Sequence, residues 1–336
     1  MHLCRLRVIM KRIIKICLAA CGLTGIILLC LGKWKILGIW LAIIVLFLSV
    51  LSIILEHFAL DRHYFVTLGQ FFDVTTEINE PKFKAGRKYF NKAEEWEMRT
   101  EDDLTLKALM IPGTGHDWVI LCHGYASDLP EAMSGYGLEY FRSGWNALMP
   151  QARAHANSDG RWIGMGWKER EDILKWIERI RKLDPEARIV LHGVSMGGAA
   201  VLNVAGENPE GVIAVIDDCG YTSVWDEFAW QLKELFGLPP FPILYIADLF
   251  ARKHLKGSCK EASPLEQVKK TKIPVLFIHG RKDEFVPYEM GRKNANACTS
   301  FKEFVTVDDA SHANSVYKDP DYGRRVLDFI KKCEEI

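Results

Sequence analysis

The sequence predicts an α/β fold in which a mostly parallel central sheet is covered by helices on both faces. From residue 96 onward, short apolar runs rich in β-branched residues alternate with longer segments of helical periodicity. The polar residues that could carry chemistry come just after predicted strands, and parallel sheets gather functional residues at the carboxyl ends of their strands. The 336 residues, 49% of them hydrophobic, are enough for one such core and an appendage.

The amino-terminal part of the chain predicts a membrane anchor. Ile16–Gly32 and Ile36–Leu55 are uncharged apolar runs that approach or reach the roughly 20 residues needed to cross a bilayer. Only Lys33-Trp34-Lys35 separates the two runs, which predicts a helical hairpin with its turn at the membrane interface. We therefore assign residues 1–57 to the anchor, with spans at about 16–32 and 36–55.

Basic residues predict the orientation of this anchor. Five precede the first span, against two lysines in the turn, so the positive-inside bias places the amino terminus and the following domain in the cytoplasm, at the cell membrane. Those five are Arg5, Arg7, Lys11, Arg12 and Lys15. The nine cysteines include five scattered ones beyond the spans without C-x-x-C spacing, as expected for reduced thiols. A single span with an external domain, or lipoprotein processing at Cys21, are the alternatives.

A connector at 58–95 leads to the globular domain, which we place at 96–336. Apolar periodicity and turn residues predict its elements. Strands are predicted at 96–99, 104–111, 118–122, 146–149, 189–191, 212–216, 275–278 and 304–307. Helices are predicted at 128–143, 167–182, 197–205 and 322–333. Between the sixth and seventh strands, an aromatic insertion at about 221–257 is expected to form a helical cap.

The motif G-x-S-x-G occupies Gly193–Gly197, between the fifth strand and a helix of small residues. In that context the motif is typical of a nucleophile elbow, a sharp strand-to-helix turn that projects the serine hydroxyl. Glycines flank Ser195 because side chains at those positions would clash in so tight a turn. The helix that follows directs its positive end and free N–H groups at the serine.

A nucleophilic Ser195 needs a base, and the base needs an orienting acid. His312 lies in a polar loop after the last strand, and Asp283 lies after the preceding strand. Together they give the chain order Ser, Asp, His that the motif requires. We expect Asp283 to be the acid. Other carboxylates that follow strands could supply it in principle: Glu284, Asp217 and Asp218.

The oxyanion formed when Ser195 attacks a carbonyl needs two N–H donors. We expect them to be the backbone N–H groups of Met196 and of Tyr125 in the loop after the third strand, where Gly124 lets the backbone turn inward. His123 is expected to have a structural role in that turn. The pattern implies no metal or cofactor, and the balance of 43 basic and 43 acidic residues shows no nucleic-acid footprint.

Four short motifs resemble those of the α/β-hydrolase superfamily over roughly residues 96–333. They are His123-Gly124, the G-x-S-x-G motif, Gly-x-x-Asp-x-x-Val-Pro at 280–287, and Ser311-His312. The resemblance implies an α/β-hydrolase fold with a helical cap and serine chemistry, here preceded by a transmembrane hairpin. Within the superfamily, the chain resembles bacterial membrane-anchored hydrolases of the serine aminopeptidase S33-like and dienelactone-hydrolase-like group.

The stretch 151–160 departs from the pattern Asp-x-Arg-x-His-Gly-x-Ser-x-Gly that this group often carries. The matching residues are Arg153, His155, Ser158 and Gly160. Gln151 replaces the acid and Ala156 replaces a glycine. The departure puts a salt bridge of this loop in doubt but does not touch the expected catalytic residues.

The aromatic cap predicts an apolar pocket at the rim of the site. The candidate lining residues are Trp225, Phe228, Trp230 and Phe236. We therefore expect a membrane-anchored serine hydrolase that cleaves carboxylic esters or thioesters with an apolar, lipid-like acyl part. Its expected partners are that acyl substrate and the membrane, while its oligomeric state stays open.

Two other functions compete with this expectation. An S33-like peptidase would need an acidic side chain in the cap that binds the free amino terminus of its substrate. Glu227 and Glu234 are the only cap glutamates before Pro239. A membrane-bound interaction protein that keeps the fold without activity is the non-enzymatic alternative. The complete set of nucleophile, acid and base positions argues against the latter.

Overall fold

Eight strands form one sheet in the order β1-β2-β4-β3-β5-β6-β7-β8 in the structure, a computed structural model that describes residues 16, 19–20, 22–64, 80–125, 127 and 129–335. The strands are β1 Glu94–Arg99, β2 Thr105–Ile111, β3 Asp117–Cys122, β4 Asn146–Pro150, β5 Arg188–Val194, β6 Val212–Asp218, β7 Val275–Gly280 and β8 Lys302–Val307. β2 runs antiparallel to both of its neighbours, and every other neighbouring pair in this sheet is parallel. The predicted mostly parallel sheet is confirmed.

Helices cover both faces of the sheet, as predicted. The helices after the hairpin are α3 Pro81–Arg87, α4 Ser134–Arg142, α5 Glu169–Leu183, α6 Met196–Ala205, α7 Val224–Gln231, α8 Ile243–Leu255, α9 Pro264–Val268, α10 Tyr288–Ala297, α11 Ser315–Lys318 and α12 Tyr322–Cys333. Two apolar clusters result, one around Trp176 of α5 and one around Tyr140 of α4 and Phe329 of α12. The central strands are buried on both faces, which explains their nearly continuous apolar runs.

The largest departures from the predicted elements are in one helix and in the cap. The helix expected at 128–143 begins at Ser134, and Asp128 itself lies outside the described residues. The predicted cap is present but divided, because α7 continues into a π-helical turn at Leu232–Phe236 before α8 begins. Gly237 ends that turn at a φ of 69°, a left-handed conformation that glycine adopts without strain.

The amino-terminal hairpin is formed by residues 22–30 (α1) and Trp34–Leu60 (α2). A Cβ on Gly25 would lie 2.7 Å from the Trp40 indole, so the two helices approach closely at a residue without a side chain. Among the described residues, α2 alone is both long and apolar enough to cross a membrane. Part of the first predicted span, and the basic residues before it, lie outside the described residues.

α2 does not end where its apolar run ends. It continues five residues past Leu55, and this last part packs on the globular domain with Glu56 and Leu60 buried. The connector then begins at Asp61, whose carboxylate lies 2.7 Å from the Arg161 guanidinium. Residues 65–79 of the connector lie outside the described residues.

Arg153 of the loop at 151–160 forms its ion pairs with acids outside the loop. Arg153 is buried and donates to both carboxylate oxygens of Asp172 on α5, at 2.8 and 2.7 Å. It also donates to Asp102 at 2.8 Å. Gln151, which replaces the expected acid, instead accepts the backbone N–H of Asn157 through its side-chain oxygen at 2.9 Å. The buried arginine is therefore compensated by acids outside the loop, as a buried charge must be.

Candidate active site

Ser195 occupies a strand-to-helix turn between β5 and α6. Its φ of 57° and ψ of −115° are unusual for a residue with a side chain, as a nucleophile elbow requires. A Cβ on Gly193 would lie 2.1 Å from the Gly197 carbonyl oxygen, and one on Gly197 would lie 2.1 Å from the Cys122 carbonyl oxygen. Only glycine fits at those two positions. The Ser195 N–H donates to the Asp218 carbonyl at 2.8 Å, which fixes the turn to the next strand.

The structure brings Ser195, His312 and Asp283 together in a hydrogen-bonded chain. The Ser195 hydroxyl lies 2.9 Å from His312 Nε2, and His312 Nδ1 lies 2.8 Å from Asp283 Oδ2. A carboxylate at Nδ1 holds the imidazole in the tautomer whose Nε2 lone pair faces the hydroxyl. This arrangement allows the histidine to accept the hydroxyl proton as Ser195 attacks.

The loop after β7 keeps Asp283 ionised. Its Oδ1 accepts the backbone N–H groups of Phe285 and Val286, both at 2.9 Å, and His279 Nε2 lies 3.4 Å from its Oδ2. Burial acts to raise the pKa of Asp283, but the charges and side-chain hydrogen bonds of His312 and His279 outweigh it and hold that pKa at about 2. A permanent negative charge is what a group that orients a histidine needs.

The alternative acids have other partners. Asp218 accepts from the hydroxyls of Ser315 and Tyr322, both at 3.0 Å, and Asp217 accepts the Gly220 N–H at 3.0 Å. Burial raises the pKa of Asp217 to about 7 and that of Asp218 to about 6, so both hold protons more tightly than Asp283. Within the part of the chain that the structure describes, the His312 ring is hydrogen-bonded to Ser195 and Asp283.

The two residues expected to supply the oxyanion donors line the same cavity as Ser195. Met196 is the first residue of α6, where backbone N–H groups have no partner within the helix. A Cβ on Gly124 would lie 3.5 Å from Ser195 Cβ, so the backbone just before Tyr125 lies close to the nucleophile. Tyr125, Ser195 and Met196 line one cavity.

His123 holds this loop. Its Nδ1 lies 2.8 Å from the Gly124 carbonyl oxygen, and its Nε2 accepts the Ala152 backbone N–H at 3.0 Å. Burial lowers the pKa of His123, which favours the neutral ring that these two contacts need. The expected structural role of this histidine agrees with these contacts.

The cavity beside Ser195 is almost entirely apolar and encloses about 1010 Å³ of empty space, including its open mouth. Phe228 and Phe236 of the cap are among its lining residues, but Trp225 and Trp230 are not. Trp225 packs edge-on against Tyr245 at 4.8 Å, and the Trp230 indole N–H donates to a backbone carbonyl outside the cap at 3.1 Å. Two of the four candidate pocket residues therefore lie elsewhere in the cap.

Comparison with known proteins places this site in a family. A model of the prolyl oligopeptidase family matches residues 158–335, more than half of the chain. The chain belongs to that family. The family match and the fold together confirm membership of the α/β-hydrolase superfamily, and the protein is a hydrolase of the α/β type.

Three known proteins illustrate what the chain is similar to. The protein YqkD of Bacillus subtilis is 29% identical over 220 residues, covering 65% of this chain and 72% of YqkD. The membrane protein YNL320W of Saccharomyces cerevisiae is 23% identical, and the match covers 71% of this chain and 75% of YNL320W. The solved structure of the Pyrococcus furiosus esterase Pf2001 superposes with a TM-score of 0.58 at 22% identity, and the match covers 71% of this chain and 92% of Pf2001. At that identity, the likeness to Pf2001 shows the fold alone.

Three residues that line this cavity are acidic: Glu56 of α2, Glu227 of α7 and Asp248 of α8. Glu227 of α7 is buried at the wall, where its Oε1 accepts from the Gln231 amide at 2.8 Å. Burial raises the pKa of Glu227 to about 8, so the carboxyl is mostly neutral at pH 7. Glu234, the other acidic candidate of the cap, does not line the cavity. The sequence shows the residue type but gives no signal of this burial.

Glu227 should make stability depend on pH. Its folded-state pKa lies above the ordinary value of 4.5, so its contribution to stability is full below pH 4.5 and is lost as the pH rises towards about 8. Each pH unit in that interval removes up to about 1.4 kcal/mol. Glu227→Gln cannot ionise, so we expect its melting temperature to exceed that of the wild type at about pH 9 but not at about pH 5. Thermal unfolding at both pH values measures this, and equal pH slopes for the two proteins would contradict it.

One group of potential metal ligands occurs among the described residues. Single ligand atoms of Cys219, Asp283 and His312 lie within 4.8 Å of one another. Burial raises the pKa of the Cys219 thiol well above its usual value, which disfavours the thiolate that a metal needs. Asp283 and His312 already satisfy each other, so the group is better explained as an acid-base pair beside a buried thiol.

Proposed function

We propose that this protein is a membrane-anchored serine hydrolase that cleaves carboxylic esters or thioesters with an apolar acyl part. The observation that carries the proposal is the hydrogen-bonded chain of Ser195, His312 and Asp283 at the end of an apolar cavity. The family match supports hydrolytic chemistry on this fold, and the site supports the serine mechanism.

In the proposed reaction, Ser195 Oγ attacks the substrate carbonyl while His312 Nε2 takes its proton. The N–H groups of Met196 and Tyr125 stabilise the oxyanion. When the oxyanion collapses, the bond to the alcohol or thiol breaks, and His312 returns the proton to that leaving group. Water then gives its proton to His312, attacks the acyl-enzyme, and releases the acid with Ser195 restored. Asp283 orients the imidazole and stabilises its protonated form throughout.

A peptidase of the S33-like or prolyl oligopeptidase kind is the second candidate. The position of Glu227 at the cavity wall favours it, because a carboxylate there could pair with a free amino terminus. However, the raised pKa of Glu227 keeps this group mostly neutral at pH 7 in the unoccupied cavity. The apolar lining next to Ser195 favours an acyl chain over a peptide with its row of polar backbone groups.

Membrane anchoring is the part of the proposal that concerns location. It is supported by the length and exposed apolar surface of α2, and one relative is named as a membrane protein. We propose that the anchor lies in the cell membrane and that the catalytic domain faces the cytoplasm, following the excess of basic residues before the first span.

The proposed function predicts covalent capture of Ser195 by a fluorophosphonate probe. Such probes phosphonylate serines that an adjacent base activates, so we expect one adduct on the peptide that contains Ser195, identified by mass spectrometry. Ser300→Ala, a substitution at a surface serine, should label as the wild type does. Absence of an adduct would favour the catalytically silent alternative, and faster turnover of an aminoacyl anilide than of a p-nitrophenyl ester would favour the peptidase.

A further inference from the structure

α2 runs from the apolar surface that could cross a membrane directly into the wall of the cavity beside Ser195. Leu55, Glu56, Phe58 and Ala59, all in its last two turns, line the same cavity as the serine. On the turns before, Leu48 and Leu51 pack with Leu55 against the cap. An adjacent side of α2 is exposed and apolar, at residues that include Ile43, Phe47, Val50 and Ile54. One helix therefore has an unpartnered apolar face and a face that closes the cavity.

The end of α2 is fixed to the catalytic domain next to the reacting groups. The Tyr125 hydroxyl donates to the Ala59 carbonyl at 2.8 Å, and Tyr125 lines the same cavity as Ser195. Beyond the helix, Arg62 donates to the Ser158 carbonyl at 2.9 Å. Leu60 is fully buried. The docking holds the lining residues of α2 in place as part of the cavity.

We propose that α2 forms one wall of the acyl pocket and that the substrate is a single long acyl chain resident in the bilayer, which reaches Ser195 along α2 and the cap. The inference rests on the proposed hydrolase function. No charged residue occurs between Ile36 and Leu55, so an acyl chain that leaves the bilayer along this helix keeps its methylene groups in apolar contact. Each methylene kept from water strengthens binding about fourfold, so long chains are favoured over short ones.

Bulk added on the cavity face of α2 should change chain-length preference. Leu55→Trp occupies the pocket, so we expect the ratio of kcat/KM for a p-nitrophenyl palmitate to that for a p-nitrophenyl butyrate to fall about tenfold or more, the equivalent of two lost methylene contacts. Ile54→Trp adds the same side chain at the neighbouring, 58% exposed position and should leave both values within about twofold. If Leu55→Trp does not accumulate in the membrane, Leu55→Phe replaces it. This smaller change should shift the ratio in the same direction.

A second measurement tests the source of the chain. The protein is assayed in phosphatidylcholine vesicles at a constant total concentration of the palmitate ester. Added lipid lowers the mole fraction of the ester in the bilayer, and turnover should fall with it. Turnover that is independent of mole fraction, or the same ratio change in Leu55→Trp and Ile54→Trp, would overturn the inference. Wild-type protein that forms the Ser195 adduct and hydrolyses butyrate but shows no preference for palmitate would overturn it while leaving the proposed function intact. Loss of both ester activities and of the adduct in the wild type would overturn both.

Discussion

Ser195→Ala should lower kcat/KM for p-nitrophenyl butyrate by about 10⁵-fold or more, the scale found when the nucleophile of a serine hydrolase is removed. In the proposed mechanism this hydroxyl forms the acyl-enzyme, and its oxygen lies 2.9 Å from His312 Nε2. The variant keeps the cavity and both donors, so the fluorophosphonate adduct should vanish while substrate binding survives. Steady-state hydrolysis in the solubilised full-length protein measures the loss.

The fold should survive that substitution. Ser195 is 5% exposed, and alanine removes one hydroxyl without adding volume, so the melting temperature should stay close to the wild-type value. Ser300→Ala is the matched control, since it removes a hydroxyl from a surface loop. Hydrolysis by Ser195→Ala within about tenfold of the wild type would contradict the serine mechanism.

Asp283→Asn should lower kcat by about 10⁴-fold with little change in binding, because an amide next to Nδ1 favours the wrong imidazole tautomer. The amide oxygen can still accept the backbone N–H groups of Phe285 and Val286, so the loop should keep its shape. The loss should therefore fall on the chemical step. Measuring kcat and KM separately for the butyrate ester distinguishes this result from damage to the pocket.

Asp218→Asn provides the comparison for that prediction. Asp218 also follows a strand beside Ser195, but its carboxylate is bonded to Ser315 and Tyr322. We expect this substitution to act on stability, through the two hydroxyls that lose a carboxylate acceptor, and to leave kcat within about tenfold of the wild type. A larger loss of kcat in Asp218→Asn than in Asp283→Asn would show that Asp218, and not Asp283, orients the histidine.

The sequence was sufficient to predict the sheet and the candidate site because both depend on chain order. Parallel strands align their carboxyl ends, so residues that follow the strands at Ser195, Asp283 and His312 converge whatever the loop lengths. It could not distinguish Asp283 from Asp218 by contact, because both follow strands that neighbour one another. Only the three-dimensional path of each loop shows that the imidazole meets one carboxylate and the Tyr322 hydroxyl meets the other.

The cap was harder to predict for a physical reason. The aromatic residues of α7 lie on different sides of that helix, so only some of them can face the cavity, and a π-helical turn at Leu232–Phe236 then follows α7. Trp225 and Trp230 lie outside the cavity lining, whereas Phe228 and Phe236 line it. The composition of the cap predicted an apolar pocket. Which aromatic residues line that pocket depends on the side of the helix on which each one lies.

The sequence also gave no sign that α2 continues beyond its apolar run. Glu56 follows that run and would ordinarily be expected in solvent. It is buried instead, with His254 of the cap 3.6 Å from its carboxylate. Such a contact between residues far apart in the chain cannot be inferred from local hydropathy.

The docking of α2 has a consequence for how this protein could be processed. A protease that removed the amino-terminal helices would also remove Leu55, Phe58 and Ala59, and the cavity beside Ser195 would lose one side. The shed fragment would retain its nucleophile while its binding pocket stood open to water. In the proposed arrangement, the same helix anchors the protein and lines its pocket. Release from the membrane would therefore change the substrate selectivity of the protein as well as its location.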